Sequence, residues 1–111
     1  MSYYQDVVNA LHDHTDTSFG AGPTAMSVTE AATFITTSAA AAITLAGAQV
    51  GQLKFICLKS NAGGAATITV STGNGWNTLV MADDGDWVIL RWNGLSWDIK
   101  ASRGVSATTV T

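Results

Sequence analysis

The amino-acid sequence predicts an all-β protein: a small β-sandwich or barrel-like domain of about seven strands, preceded by a short N-terminal helix and an extended arm. Two observations carry this prediction. From about residue 27 onward, short runs rich in β-branched residues recur, and Gly-containing turns separate them. Near the C-terminus, Asn93-Gly94 divides two apolar runs, and this dipeptide favours a two-residue hairpin turn.

Residues 2–12 show the only helical pattern in the chain, with apolar side chains on one face and Ser2 in position to cap the start. So short a helix is marginal in water unless its apolar side packs on another surface. We therefore expect that side, together with Phe19, to contact a neighbouring chain. The candidate neighbour contacts are Tyr4, Val7, Val8, Leu11 and Phe19.

A polar stretch containing the only proline, Pro23, follows the helix and predicts an extended arm or linker. The last residues predict an extended tail that can add to a neighbouring sheet. The expected organisation is a helix and arm over 1–26, a β domain over 27–103 and a tail over 104–111.

Within the β domain, residues 66–71 alternate, with Ala66, Ile68 and Val70 on one face and Thr or Ser on the other. Residues 52–59 are apolar on both faces through the middle of the segment, which favours a central strand covered on both sides. Residues 41–45 resemble residues 65–70. Because many β proteins repeat such short patterns, the resemblance does not by itself predict a structural repeat.

A two-residue type I′ turn at Asn93-Gly94 would fix the register of the last hairpin. The predicted pairs are Trp92 with Leu95, Leu90 with Trp97 and Val88 with Ile99 on an apolar face, and Arg91 with Ser96, Ile89 with Asp98 and Trp87 with Lys100 on a mixed face. The candidate core residues are Phe55, Ile68, Leu90, Trp92, Trp97 and Ile99.

The composition points to a protein-binding surface. Charged residues make up 12% of the chain, about half the usual fraction, whereas 47% is hydrophobic. So few charges favour a surface that another protein chain covers in part, such as another copy of this chain. The net charge is −3 and the five basic residues are scattered, which argues against nucleic-acid binding.

The sequence predicts neither a membrane span nor an internal disulfide. No apolar run approaches the roughly 20 residues that a span requires. Cys57 is the only cysteine, and the N-terminus lacks the pattern of a signal peptide. We expect the chain to be made in a reducing cytoplasm.

No set of residues in the sequence predicts catalysis, a cofactor, a metal or a small-molecule substrate. Residues 12–16 bring His12 and His14 near two aspartates, but residues two apart diverge on a helix and no cysteine joins them. Residues 83–86 resemble a calcium loop without its glutamate, and an Asp-rich turn explains them more simply. Trp76 and Trp87 leave open a sugar-stacking platform, as in a carbohydrate-binding module, although packing is the commoner role of tryptophan.

The segments at 43–46, 51–56, 63–69 and 85–99 together resemble a β module of tailed-bacteriophage virion proteins. The resemblance covers about residues 33–100 and is sharpest at Gly51-Gln52-Leu53-Lys54 and from Gly85-Asp86 to Trp97. The chain is similar there to small capsid decoration, or cement, proteins. This resemblance implies a structural protein on the outer surface of the virion, which bridges neighbouring major capsid protein subunits, often as trimers. A tail-fibre or tail-tip component is the first alternative, and a carbohydrate-binding β module is the second.

Overall fold

A computed structural model describes residues 14–20, 23–28 and 30–109, and these residues form ten strands and no helix. The sequence predicted about seven strands. The predicted helix at residues 2–12, with Tyr4, Val7, Val8 and Leu11, lies outside the described residues. The strands are β1 (His14–Phe19), β2 (Pro23–Ala25), β3 (Ala32–Thr37), β4 (Ala41–Leu45), β5 (Leu53–Asn61), β6 (Ala66–Val70), β7 (Thr78–Met81), β8 (Trp87–Trp92), β9 (Trp97–Arg103) and β10 (Val105–Thr108).

The strands form two five-stranded sheets, with the order β1-β3-β5-β8-β9 in sheet A and β10-β7-β6-β4-β2 in sheet B. Over the first six strands the chain changes sheet at every connection. Strands that are neighbours in a sheet, such as β3 and β5, are therefore parallel. Strands β1 to β6 thus make a coil of three turns, each contributing one strand to each sheet. The remaining strands pair antiparallel.

The weak internal similarity of the sequence marks two successive turns of this coil. Ile43 pairs with Ile68 and Thr44 with Thr69, in parallel and in register. The connections between strands in successive turns of the coil also lie close together. A Cβ added at Gly63 would lie 2.0 Å from the carbonyl oxygen of Ser38, so only glycine permits this approach.

The hydrophobic core lies between the two sheets. Sheet A contributes Ile35, Ile56 and Leu58, and sheet B contributes Ile68 and Leu79, all with no exposed surface. Burial of each such side chain contributes roughly 1.5–3 kcal/mol to folding. The alternation within each strand places one set of side chains in this core and the other on an outer face.

The residues predicted to form an arm belong to the sheets. Strand β1 pairs with β3 at the edge of sheet A, and β2 pairs with β4 at the edge of sheet B. Phe19, at the end of β1, is only 3% exposed and packs in the core. The prediction that Phe19 contacts a neighbouring chain is therefore wrong. The predicted C-terminal tail likewise pairs within its own chain, as β10 beside β7.

The last hairpin forms at Asn93-Gly94, but the predicted register is wrong by two residues. Trp92 pairs with Trp97 across a four-residue loop, and Leu90 pairs with Ile99. A type I′ turn requires positive φ at both central residues, whereas only Gly94 has one, at 104°. The Asn93 carboxamide oxygen instead accepts hydrogen bonds from the amides of Leu95 (2.8 Å) and Ser96 (2.9 Å), which stabilises the wider loop.

The shift changes every predicted partner but keeps the faces in place near the loop, because two residues are one full period of a strand. Leu90 and Trp97 are fully buried on the core side. Further along, a bulge between Ile89 and Leu90 moves the register again, and Ile89 pairs with Ala101.

Five of the six candidate core residues lie in or against the core. Ile68, Leu90 and Trp97 are fully buried, and Trp92 and Ile99 pack against the cluster while partly exposed. Phe55 is the exception. Ile56 and Leu58 face inward from β5, so Phe55 points to the outer face of sheet A.

Candidate protein interface

The charged residues of the described chain are segregated by sheet. The five strands of sheet B contain none at all, although they span the whole width of the molecule on that side. The charged residues of the described segments lie either on the strands of sheet A, at Asp16, Lys54, Lys59, Arg91, Asp98, Lys100 and Arg103, or between strands, at Glu30, Asp83, Asp84 and Asp86.

The outer face of sheet B is built of small and β-branched side chains in two rows across the strands. The first row is Ala25, Thr44, Thr69, Thr78 and Thr108, and the second is Ala42, Thr67, Val80 and Ser106. Thr44, Thr69 and Thr108 are exposed, as are Ala42 and Ser106. With strands about 4.8 Å apart, five strands span about 19 Å. The face therefore offers methyl and hydroxyl groups over a broad, charge-free area.

Two exposed apolar side chains lie on adjacent turns. Val50 is 73% exposed and Leu95 is 82% exposed. The turns that carry them touch, since a Cβ added at Gly94 would lie 3.1 Å from a methyl group of Val50. The Gly51 amide, next to Val50, donates a 2.8 Å hydrogen bond to the Trp92 carbonyl and joins the two turns.

The outer face of sheet A differs from that of sheet B, because it carries an aromatic cluster. The ring centroids of Phe55 and Trp87 are 6.1 Å apart and nearly parallel, and those of Phe34 and Phe55 are 5.9 Å apart. Cys57 pairs with Phe34 on one side and Trp87 on the other. Burial, and secondly the carboxylate of Asp86, raise the pKa of the Cys57 thiol above 9.0, so the thiol is not an activated nucleophile.

Lys54 has a structural role that the sequence did not reveal. Its side chain is fully buried, and its ammonium donates hydrogen bonds to the carbonyls of Ser27 (2.8 Å) and Glu30 (2.9 Å) and to the Thr33 hydroxyl (2.7 Å). The neighbouring Gln52 side chain donates to the Val28 carbonyl. The Gly51-Gln52-Leu53-Lys54 segment thus holds the connection between β2 and β3, and no signal in the sequence distinguishes Lys54 from an exposed lysine.

The Asp-rich segment forms a capped turn, as predicted. One oxygen of the buried Asp86 carboxylate accepts hydrogen bonds from the amides of Ala82 (3.1 Å) and Asp83 (3.0 Å). Asp84 accepts one from the amide of Asn61 at 2.6 Å. Among the described residues no three His, Cys, Asp or Glu side chains are grouped as metal ligands. His12 and Asp13, from the other candidate cluster, lie outside the described residues.

The two tryptophans of the possible sugar-stacking platform do not share a surface. Trp76 is 8% exposed and belongs to the core cluster, whereas Trp87 lies on the outer face of sheet A. An open groove of about 490 Å³ does run past Asn74, Trp76, Asp98 and Lys100. There one oxygen of the Asp98 carboxylate already accepts hydrogen bonds from the side-chain carboxamide nitrogens of Asn74 (2.8 Å) and Asn93 (3.1 Å).

Comparison of the chain with models of protein families and with curated proteins finds no match. Within the described segments, no helix has the length and apolar character needed to cross a bilayer.

Proposed function

We propose that this chain is a structural virion protein that decorates and stabilises a bacteriophage capsid by bridging neighbouring major capsid protein subunits. The proposal assigns it no reaction, cofactor or metal. The observation that best supports attachment to a capsid is the absence of charged residues from the strands of sheet B. Its outer face is the docking surface in this proposal.

A charge-free face suits attachment to a protein shell. Covering a charged side chain costs free energy unless a partner pairs with it, and the outer face of sheet B has no such side chain to cover. Its exposed Thr and Ser hydroxyls can exchange water for hydrogen bonds with a partner, and their methyl groups add apolar contact. Val50 and Leu95, on adjacent turns, are two further exposed apolar side chains that a partner can cover.

The size of the face supports attachment by several copies together. An area of about 19 Å by 15 Å, from strand spacing and rise, is roughly 300 Å². A stable interface buries about 800 Å² on each partner, so one copy would bind weakly. A homotrimer that presents three such faces to one shell gains affinity through its raised effective concentration.

Charge substitutions on the two sheets test this proposal. Thr69→Glu places a carboxylate at the centre of the outer face of sheet B, and Ser102→Glu places one on β9 of sheet A, where Ser102 is exposed. Capsids stripped of their own decoration are incubated with each variant and sedimented. We expect Thr69→Glu to lose at least about tenfold in affinity, because the carboxylate would be buried without a partner, and Ser102→Glu to bind as the unmodified chain does.

Equal binding of both variants would refute docking through sheet B. Failure of the unmodified chain to bind any capsid shell would refute the decoration role. Copy number in the purified virion separates decoration from the tail-fibre or tail-tip alternative, since a decoration protein is present in hundreds of copies and a tail component in a handful. Mass spectrometry of the intact particle measures that number.

A further inference from the structure

We infer that residues 2–12 pack within their own chain across the outer face of sheet A, with the apolar side of this segment on the aromatic cluster around Phe55 and Trp87. The segment is then a third layer of the domain. The inference does not depend on the proposed function, because it concerns the opposite sheet from the proposed docking surface.

The first observation is the burial of side chains on a face that no described strand covers. Ala32 is fully buried, Ile89 is 7% exposed and Leu53 is 9% exposed, and all three lie on the outer face of sheet A. On the outer face of sheet B, among the described residues, only Thr78 is buried, and Ala42, on β4 at the corresponding place next to the edge strand, is exposed. Two similar outer faces differ in this way when a further layer lies over one of them.

The second observation is where the described chain begins. His14, the first residue of β1, pairs with Ala32, which in turn pairs with Phe55, and Phe55 pairs with Ile89. Residues 2–12 therefore lead into β1 at the register position of Ala32, Phe55 and Ile89, which belong to the face that these residues are inferred to cover. From β1 to β8 there are three strand spacings, about 14 Å. A helix of eleven residues is about 16 Å long, which matches that width.

The third observation removes the long tether that would favour a neighbouring chain. The sequence predicted an arm between the helix and the β domain. Residues 14–19 and 23–25 are instead paired strands, and in the sequence residue 12 comes only two positions before the start of β1. Two residues span at most about 7 Å. The nearest apolar surface in reach is then the chain's own outer face, and the stripe of Tyr4, Val7, Val8 and Leu11 complements it.

Cys57 is a built-in probe of this face, since it is the only cysteine and lies between Phe34 and Trp87. We compare its rate of labelling by a maleimide in the unmodified chain, in Val8→Asp and in Asn9→Asp. The two variants add the same charge one position apart, on the apolar and the polar side of the segment. We expect Val8→Asp to label at least about tenfold faster, because an unpaired carboxylate opposes docking, and Asn9→Asp to label at the unmodified rate.

A second variant, Leu11→Ala, weakens the contact without adding charge and should also accelerate labelling, with a cooperative thermal transition showing that the domain is folded. Equal rates in Val8→Asp, Leu11→Ala and the unmodified chain would overturn the inference. So would protection of Cys57 that increases with protein concentration between 1 and 100 μM, because that result would mean that the segment covers another copy.

Discussion

The indole nitrogen of Trp97 donates a 3.0 Å hydrogen bond to the carbonyl oxygen of Ala46, which follows strand β4 of sheet B. Trp97 itself begins β9 in sheet A and is fully buried. Its backbone also bonds to the loop after β6, since the Trp97 amide donates to Thr72 and its carbonyl accepts from Asn74, both at 3.0 Å. One residue therefore joins the last hairpin to two connections of the other sheet.

Replacement of Trp97 by Phe is expected to lower the free energy of unfolding by about 2–3 kcal/mol, through lost packing and the lost hydrogen bond. Urea denaturation followed by circular dichroism measures the change. Leu95→Ala, at a side chain that is 82% exposed in the same hairpin, is the control and should have little effect. Similar stability of the two variants would contradict the assigned role of Trp97.

Lys54→Met keeps the length of the side chain and removes its charge and donors. We expect a loss of about 3 kcal/mol, because the carbonyls of Ser27 and Glu30 lose the buried ammonium that donates hydrogen bonds to them. Lys100→Met, at an exposed position of the same sheet, is the control and should change little. Unchanged stability of Lys54→Met would show that water replaces the ammonium at these carbonyls.

Gly94→Ala is expected to destabilise the hairpin by about 1–2 kcal/mol, since a side chain is strained at a φ of 104°. The new Cβ would also lie 3.1 Å from Val50. Gly20→Ala is the control, because its nearest neighbour would be the Ser38 hydroxyl at an ordinary 3.5 Å. Thermal unfolding compares the two, and an unchanged melting temperature for Gly94→Ala would contradict the loop conformation.

The raised pKa of the Cys57 thiol makes the free energy of unfolding depend on pH in the alkaline range. Its pKa is raised in the folded protein, by burial and then by Asp86, so the unfolded chain loses this proton at lower pH. The contribution of this thiol to the free energy of unfolding is fully present below pH 9.0 and is lost as the pH rises through the pKa of the thiol in the folded protein. The unmodified protein should therefore lose stability relative to Cys57→Ala above that pH. A difference between the two that is constant from pH 7 to 10.5 would contradict the shift.

Attachment through the outer face of sheet B should respond little to salt. Ionic contacts weaken as the Debye length falls from about 10 Å at 0.1 M to about 4–5 Å at 0.5 M, but the proposed face has no charge to screen. Co-sedimentation with stripped capsids at the two concentrations should give dissociation constants within about twofold. A loss of tenfold or more at high salt would point to the charged residues of sheet A instead.

Much of the fold can be predicted from the sequence, because turn chemistry and alternation act locally. Asn93-Gly94 located the last hairpin, and alternation placed Ile68 in the core. The register failed because the side chain of Asn93 stabilises a wider loop, which the dipeptide alone does not show. The prediction that Phe55 lies in the core was wrong for another reason. Where both faces of a strand are apolar, the alternation of side chains does not show which face packs in the core.

The strands before β3 were missed because edge strands are short, polar and interrupted by turn residues, which also characterises linkers. In β1 only Phe19 marks the inner face by its hydrophobicity. The position of β1 in sheet A determines the expected result of a large N-terminal deletion. Loss of residues 1–20 would remove β1 and Phe19 from the sandwich, so the domain would be destabilised, and a deletion that tests the N-terminal segment alone must end before His14.

The coil of β1 to β6 has a consequence for how the chain folds. Because consecutive strands there lie in different sheets, none of the strands β1 to β5 can form a hairpin with the strand that follows it. Among the described strands, the sequence-local pairs are β6 with β7 and β8 with β9, both in the second half of the chain. Local pairs form before distant ones, since closing a long loop costs entropy first. We therefore expect these two hairpins to form early in folding, and the parallel pairs of the coil, whose strands are farther apart in the sequence, to form after them.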